Sequence, residues 1–186
     1  GGGFVATWTS YNQDGNGNGV YAQRFDAAGA AVGTEFKVNA YTSSNQDTSQ
    51  VATFADGAFV VVWQSYGQDG SGYGIYGQRY TAAGVVSGTE FQINTFTSND
   101  QSEAQVEALT GGGFVVTWTS YNQDGSSYGV YAQRYNADGS AAGTEFRINE
   151  STAGGQYQSS VTALANGGFV VSWYNDNYDV SASGTT

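Results

Sequence analysis

Asn12, Asp14 and Asn16 set three oxygen-bearing side chains at alternate positions in NQDGNG, with Gly17 next. This is the first half of a D-x-[DN]-x-[DN]-G loop, whose successive oxygens converge on one hard cation while glycine permits the sharp turn. The stretch returns with Asp69 and Ser71 in GQDGSG, and with Asn122, Asp124 and Ser126 in NQDGSS. In a fourth occurrence the sequence degenerates to YNDNYDVSASG, yet Asn177 and Asp179 stay in register. The set is incomplete for calcium, which takes six to eight oxygens. Each loop offers one carboxylate, Gly67 replaces an Asn, and the closing Glu position falls on Gln23, Gln78 and Gln133. An Asp-Gly hairpin turn explains the recurrence without a metal and takes precedence, with calcium as the alternative cofactor.

Three further residue types recur with the loops. Tyr11, Tyr66, Tyr73, Tyr121 and Tyr128 sit in or beside them, among Asn, Gln and Ser. Exposed tyrosines in such company stack on sugar faces, so they are candidate glycan contacts; the alternative is amphipathic packing at a rim. Arg24, Arg79 and Arg134 recur with Glu35, Glu90 and Glu145 on either side of the next turn. Pairing each Arg with the Glu of its own repeat is the economical reading in a chain this poor in charge. A carboxylate pair for glycoside hydrolysis is disfavoured, because it forms one asymmetric site and these acids recur.

The remaining composition narrows the partners. Sixteen acidic and five basic side chains give a net charge of -11, which argues against nucleic acid and against an anionic membrane surface. Glycans or simple solubility suit it better. No Cys or His is present, so disulfides, thiolate metal sites and histidine general bases are excluded. No apolar run is long enough to span a membrane. The chain opens inside a repeat, on GGGFVATW without Met, and is read as a piece of a larger protein or a processed one.

The elements that carry these residues follow from the repetition. Trp8, Trp63, Trp118 and Trp173 stand at 55-residue intervals without insertion or deletion, as do Gln46, Gln101 and Gln156. One period reads as four short strands, exemplified by 105–109, 114–120, 129–135 and 144–149, with Gly-rich turns between them and no helical period anywhere. The expected fold is all-β: tandem four-stranded antiparallel repeats stacked as β-propeller-like blades, three full and one partial. The repeat units run approximately over 1–48, 49–103, 104–158 and 159–186. Closed propellers need about four to eight blades, so other copies of the repeat, or the rest of a larger protein, are expected to complete the ring.

The pattern GGFVVxW-x-S-x-x-QDG-x-x-x-GVYAQR[FY], followed by G-x-EF-x-[VI]N, resembles a tandem repeat of very large secreted bacterial surface proteins of the RTX-like, calcium-binding adhesin type. The resemblance covers 1–173 and implies export, an extracellular or cell-surface setting, and an adhesive or scaffolding role. The RTX nonapeptide G-G-x-G-x-D is absent, so calcium by that mechanism is not implied. The expected function is therefore a non-enzymatic module for adhesion or structural assembly at the bacterial surface, with a lectin-like glycan-binding propeller as the alternative.

Overall fold

The computed structural model describes residues 2–176, and within them every regular element is a β-strand. The first sheet holds β1 (Phe4–Tyr11), β2 (Asn18–Phe25) and β3 (Ala31–Lys37). The second holds β4 (Gln46–Thr53), β5 (Phe59–Tyr66), β6 (Tyr73–Tyr80) and β7 (Val86–Gln92), in that spatial order. The third repeats it with β8 (Gln101–Ala108), β9 (Phe114–Tyr121), β10 (Tyr128–Tyr135) and β11 (Phe146–Arg147). The fourth consists of β12 (Gln156–Ala163) and β13 (Phe169–Asn175). All pairs are antiparallel and sequential, so each sheet is a meander and each meander a blade. The fold is the expected all-β array of propeller-like blades.

Blades form because each sheet is apolar on both faces and must be covered twice. In β5, Phe59, Val61 and Trp63 turn to the first blade, where they meet Val20, Ala22 and Val38. Val60 and Val62 turn the other way, onto Phe114, Val116 and Trp118 of the third blade. Trp63 and Trp118 are fully buried, and each such residue contributes roughly 1.5–3 kcal/mol or more by leaving water. Trp173, on the two-stranded fourth blade, is 38 % exposed.

The recurring glutamines are inter-blade ties. Asn94 Oδ1 accepts the Ile75 N–H at 2.6 Å, and its Nδ2 donates to Gln101 Oε1 at 3.0 Å. Gln101 Nε2 in turn donates to the Ser98 carbonyl at 3.0 Å. Asn39 with Gln46, and Asn149 with Gln156, repeat the arrangement. These glutamines are fully buried at the start of the next blade's first strand, where an unpaired amide would be costly and a paired one fixes the connection.

Two departures from regular strand geometry matter for the site. The register slips in the first strand of the second, third and fourth blades, between Asp47 and Gln50, Ser102 and Gln105, and Tyr157 and Ser160. The bulged residues Thr48, Glu103 and Gln158 take φ of 52, 56 and 53°, a left-handed conformation rare outside glycine. The other departure is β11, far shorter than the strand expected over 144–149. The β-branched residues at Val32 and Val86 are replaced in its approach by Ser140, Ala141 and Ala142, which have little preference for a strand.

Candidate functional site

The Asp-Gly loops join β1 to β2, β5 to β6 and β9 to β10, and their carboxylates serve the turn. Asp14, Asp69 and Asp124 each accept, on Oδ1, the N–H two residues on: Asn16 at 3.3 Å, Ser71 at 3.2 Å and Ser126 at 3.1 Å. Their Oδ2 atoms fold back over Gly19, Gly74 and Gly129, where an added Cβ would lie 2.8, 2.6 and 2.9 Å away. Asn12 and Asn122 have φ of 59 and 62°, and Gly67 takes the same conformation at 73°, so glycine in the second loop replaces Asn for its backbone. The side chains of Asn12 and Asn16 form no hydrogen bond, and no cluster of three acidic residues occurs among the described residues. Asn177 and Asp179 lie outside the described residues.

The expected Arg–Glu pairing is corrected. Arg24 donates to the carbonyls of Ala83 and Ala82, at 2.6 and 2.7 Å, on the β6–β7 turn of the next blade. Arg79 donates likewise to Asp138 and, at 2.5 Å, to Ala137 on the β10–β11 turn. Glu35 instead accepts from Gln13 Nε2 at 2.6 Å. Glu90 and Glu145 bond Gln68 and Gln123 in the same way, and each takes a backbone N–H of the preceding blade, Ala40 at 2.7 Å and Thr95 at 2.6 Å. The physical reason is geometric: stacking brings the turn of the next blade within reach of Arg24 and Arg79, while each Glu is taken by the Gln of its own blade's Asp-Gly loop.

The tyrosines divide. Tyr11 is 81 % exposed. Tyr66 and Tyr73 meet edge to face at 5.1 Å between ring centroids. Tyr121 and Tyr128 lie 5.0 Å apart, and from Tyr128 the run continues to Tyr157 at 6.0 Å and Tyr174 at a further 5.0 Å. This four-ring stripe borders a cleft of about 340 Å³ between the third and fourth blades, lined by Glu103, Thr119, Tyr128, Tyr157, Gln158 and Asp176. The cleft opens at the same end of the blades as the Asp-Gly loops. A larger hollow of about 420 Å³ lies at the opposite end, between the first and second blades. Its one acid, Asp56, is engaged in capping its own turn through the Ala58 N–H at 2.9 Å.

Two carboxylates face the 340 Å³ cleft, and each has one oxygen without a hydrogen bond among the described residues. The bulge turns Glu103 out of the strand, and its Oε2 accepts from Thr119 Oγ1 at 3.0 Å and from the Gln158 N–H at 3.1 Å. Asp176, just past β13, accepts the Gly155 N–H on Oδ1. The Tyr157 phenol between them is held above its ordinary pKa, first by desolvation and then by Tyr174, Asp176 and Glu103. Tyr128 alone among these residues is a tyrosine the sequence singles out. The others were missed because they break the repeat. Glu103 stands where Thr48 and Gln158 do, Asp176 where Tyr11, Tyr66 and Tyr121 do, and Tyr157 where Asp47 and Ser102 do. A search for charged and aromatic departures from the period finds all three.

No protein-family model matches the chain, and no curated protein does. Among solved structures it is similar to an endo-arabinase from Bacteroides thetaiotaomicron VPI-5482, at 14 % identity and a TM-score of 0.55, over 95 % of this chain and 68 % of that one. It is similar to an α-L-arabinofuranosidase from Lactobacillus brevis, at 13 % identity and a TM-score of 0.58, over 95 % and 64 %. A thermostable family-43 glycoside hydrolase gives 12 % identity and a TM-score of 0.55 over 95 % and 63 %. The chain thus spans about two thirds of the length of these proteins, and at such identities the likeness is one of fold. It corrects the expectation of a non-enzymatic adhesion or assembly module, and with it the expectation of no enzymatic activity. The fold is that of propeller enzymes that cut glycans. Acids that recur cannot form one asymmetric carboxylate pair, but acids that do not recur, such as Glu103 and Asp176, can.

Proposed function

We propose that this chain is the glycan-handling part of a carbohydrate-active enzyme, with the Glu103–Asp176 cleft as its saccharide site. One observation carries the reading: two acids that depart from the repeat, Glu103 and Asp176, share a single cleft with a stripe of tyrosines. Glycoside hydrolysis needs two carboxyl groups, one protonating the leaving oxygen and one acting as base or nucleophile on the other side of the sugar ring. Tyr128 and Tyr157 supply ring faces and hydroxyls for a sugar, and the Gln158 amide and Thr119 hydroxyl hold Glu103 in place. Polymeric arabinan and xylan are the substrates to try first, given the enzymes that share the fold. Such polymers are met outside the cell, so an extracellular setting is part of this proposal.

The test is release of reducing ends from arabinan, arabinoxylan and xylan by the purified chain and by Glu103→Gln and Asp176→Asn. Each substitution removes proton transfer or nucleophilic attack while keeping shape, so a loss of about 10²–10⁴-fold in kcat with binding retained is expected. Cleavage that survives both substitutions, or sugar binding without cleavage by the unaltered chain, sinks the proposal.

A further inference from the structure

Asn-Gly occurs three times in the chain, at Asn16–Gly17, Asn18–Gly19 and Asn166–Gly167. The pair carries a reaction of its own, in which the glycine nitrogen attacks the carbonyl carbon of the Asn side chain. That attack needs a nitrogen free of hydrogen bonds, a side chain free to approach it and a peptide plane able to turn. Glycine supplies the last, having no Cβ to restrict the backbone. Local sequence makes the three pairs equal, and the structure makes them unequal.

Asn166–Gly167 is held by its turn between β12 and β13. There the Gly167 N–H donates to the Leu164 carbonyl at 3.0 Å, and Asn166 Oδ1 accepts the Gly168 N–H at 3.0 Å. Asn18–Gly19 is held by the sheet. Both residues belong to β2, opposite Tyr11 and Ser10, Gly19 is buried, and the Asn18 amide donates to Asp47 Oδ2 at 3.4 Å. Asn16–Gly17 has neither restraint. Asn16 is exposed, its side chain forms no hydrogen bond, and the Gly17 N–H has no acceptor among the described residues. Ser71 and Ser126 stand in register with Asn16 and have a blade on either side, yet they bond only within their own loop or to the blade that follows. The opening at Asn16 is therefore a property of the loop. Glycine at 17 is fixed by its surroundings: it takes φ of 71°, and a Cβ there would lie 2.7 Å from Asn45 Oδ1.

We propose that Asn16 is a site of spontaneous deamidation, which converts the first Asp-Gly loop into a more acidic form. Base takes the Gly17 N–H proton and the nitrogen bonds to Asn16 Cγ. The Cγ–Nδ2 bond breaks, and ammonia leaves with a proton. The cyclic imide then takes up one water and opens at either carbonyl carbon. The product is an aspartate at position 16, or an isoaspartate whose main chain runs through Cγ. Either one adds a negative charge two residues from Asp14. Isoaspartate also lengthens the main chain by one atom inside the hydrogen bond that closes the loop, from the Asn12 N–H to the Gly17 carbonyl. The reaction belongs to the first blade and owes nothing to the cleft between the third and fourth.

The test is peptide mapping by mass spectrometry of the full chain aged in mildly alkaline buffer, folded and in urea. Trypsin cuts after Arg24 and Arg147, so Asn16 and Asn18 fall in the first peptide and Asn166 in the last; fragmentation separates 16 from 18. In the folded chain, conversion at Asn16 is expected to outrun that at Asn18 and Asn166 by about tenfold or more, since those two must first break the bonds that hold them. In urea the three rates are expected to converge. Asn16→Ser, which installs the residue that Ser71 and Ser126 already provide in the other loops, is expected to abolish the early mass gain of the first peptide. Equal rates at the three sites in the folded chain would overturn the proposal. So would an Asn16 that converts in urea but not when folded, or rates that stay equally far apart in urea, which would make sequence rather than the loop their cause. No glycan enters the measurement, so its outcome is separate from the fate of the glycan reading.

Discussion

Tyr76 is pressed between blades beside the Asp69 loop, and its phenol is pushed up from 10.0 to about 12 by burial first, then by Asp69, Glu90 and Tyr41. The folded chain therefore holds that proton more tightly than the unfolded chain does. The stabilisation is complete below pH 10 and is lost as the pH rises toward 12. Urea midpoints taken across this range should fall steeply for the unaltered chain and less steeply for Tyr76→Phe; equal slopes would show that another group governs the alkaline loss. Individual residues were unevenly legible in the sequence. The Asp-Gly turn was readable because turn chemistry is local, with Asn or Gly at positive φ and an Asp accepting the amide two residues on. Glu103 and Asp176 were not, because their significance lies in departing from a period and meeting across two blades.

The elements were set by local pattern, and the joints between them were not. Alternating β-branched and aromatic residues marked the strands, and the both-faces-apolar run Phe59–Trp63 marked the blade interior. The amide ties were visible only as a recurrence of Gln46, Gln101 and Gln156, with no sign of what each would meet. Asn94→Ala removes the acceptor of the Ile75 N–H and the donor to Gln101 Oε1, leaving both buried and unpaired. A loss of about 1–3 kcal/mol per orphaned group is expected, read as a fall in the denaturant midpoint. An unchanged midpoint would mean that water replaces the amide and that the tie is dispensable. Arg24 and Glu35 failed as a pair at this same scale, since blade stacking gave Arg24 the next blade's turn carbonyls and Glu35 bonds Gln13 of its own blade.

At the scale of the whole molecule, stacking blades creates something that no single repeat contains. Identical units alone would offer identical sites, so the third and fourth blades acquire a distinct chemistry only by breaking the repeat at Glu103, Tyr157 and Asp176. The fold class was legible because 55-residue periodicity and turn spacing are properties of the whole chain. The cleft was hidden because it joins residues more than 70 positions apart in sequence. The central claim is that this cleft grips and cuts a saccharide. Its most direct measurement is a crystal structure of the Glu103→Gln chain soaked with an arabino- or xylo-oligosaccharide. The expected result is a sugar ring against Tyr128 and Tyr157, with a glycosidic oxygen between residue 103 and Asp176. A sugar bound elsewhere, or a cleft that stays empty at saturating oligosaccharide, would contradict it.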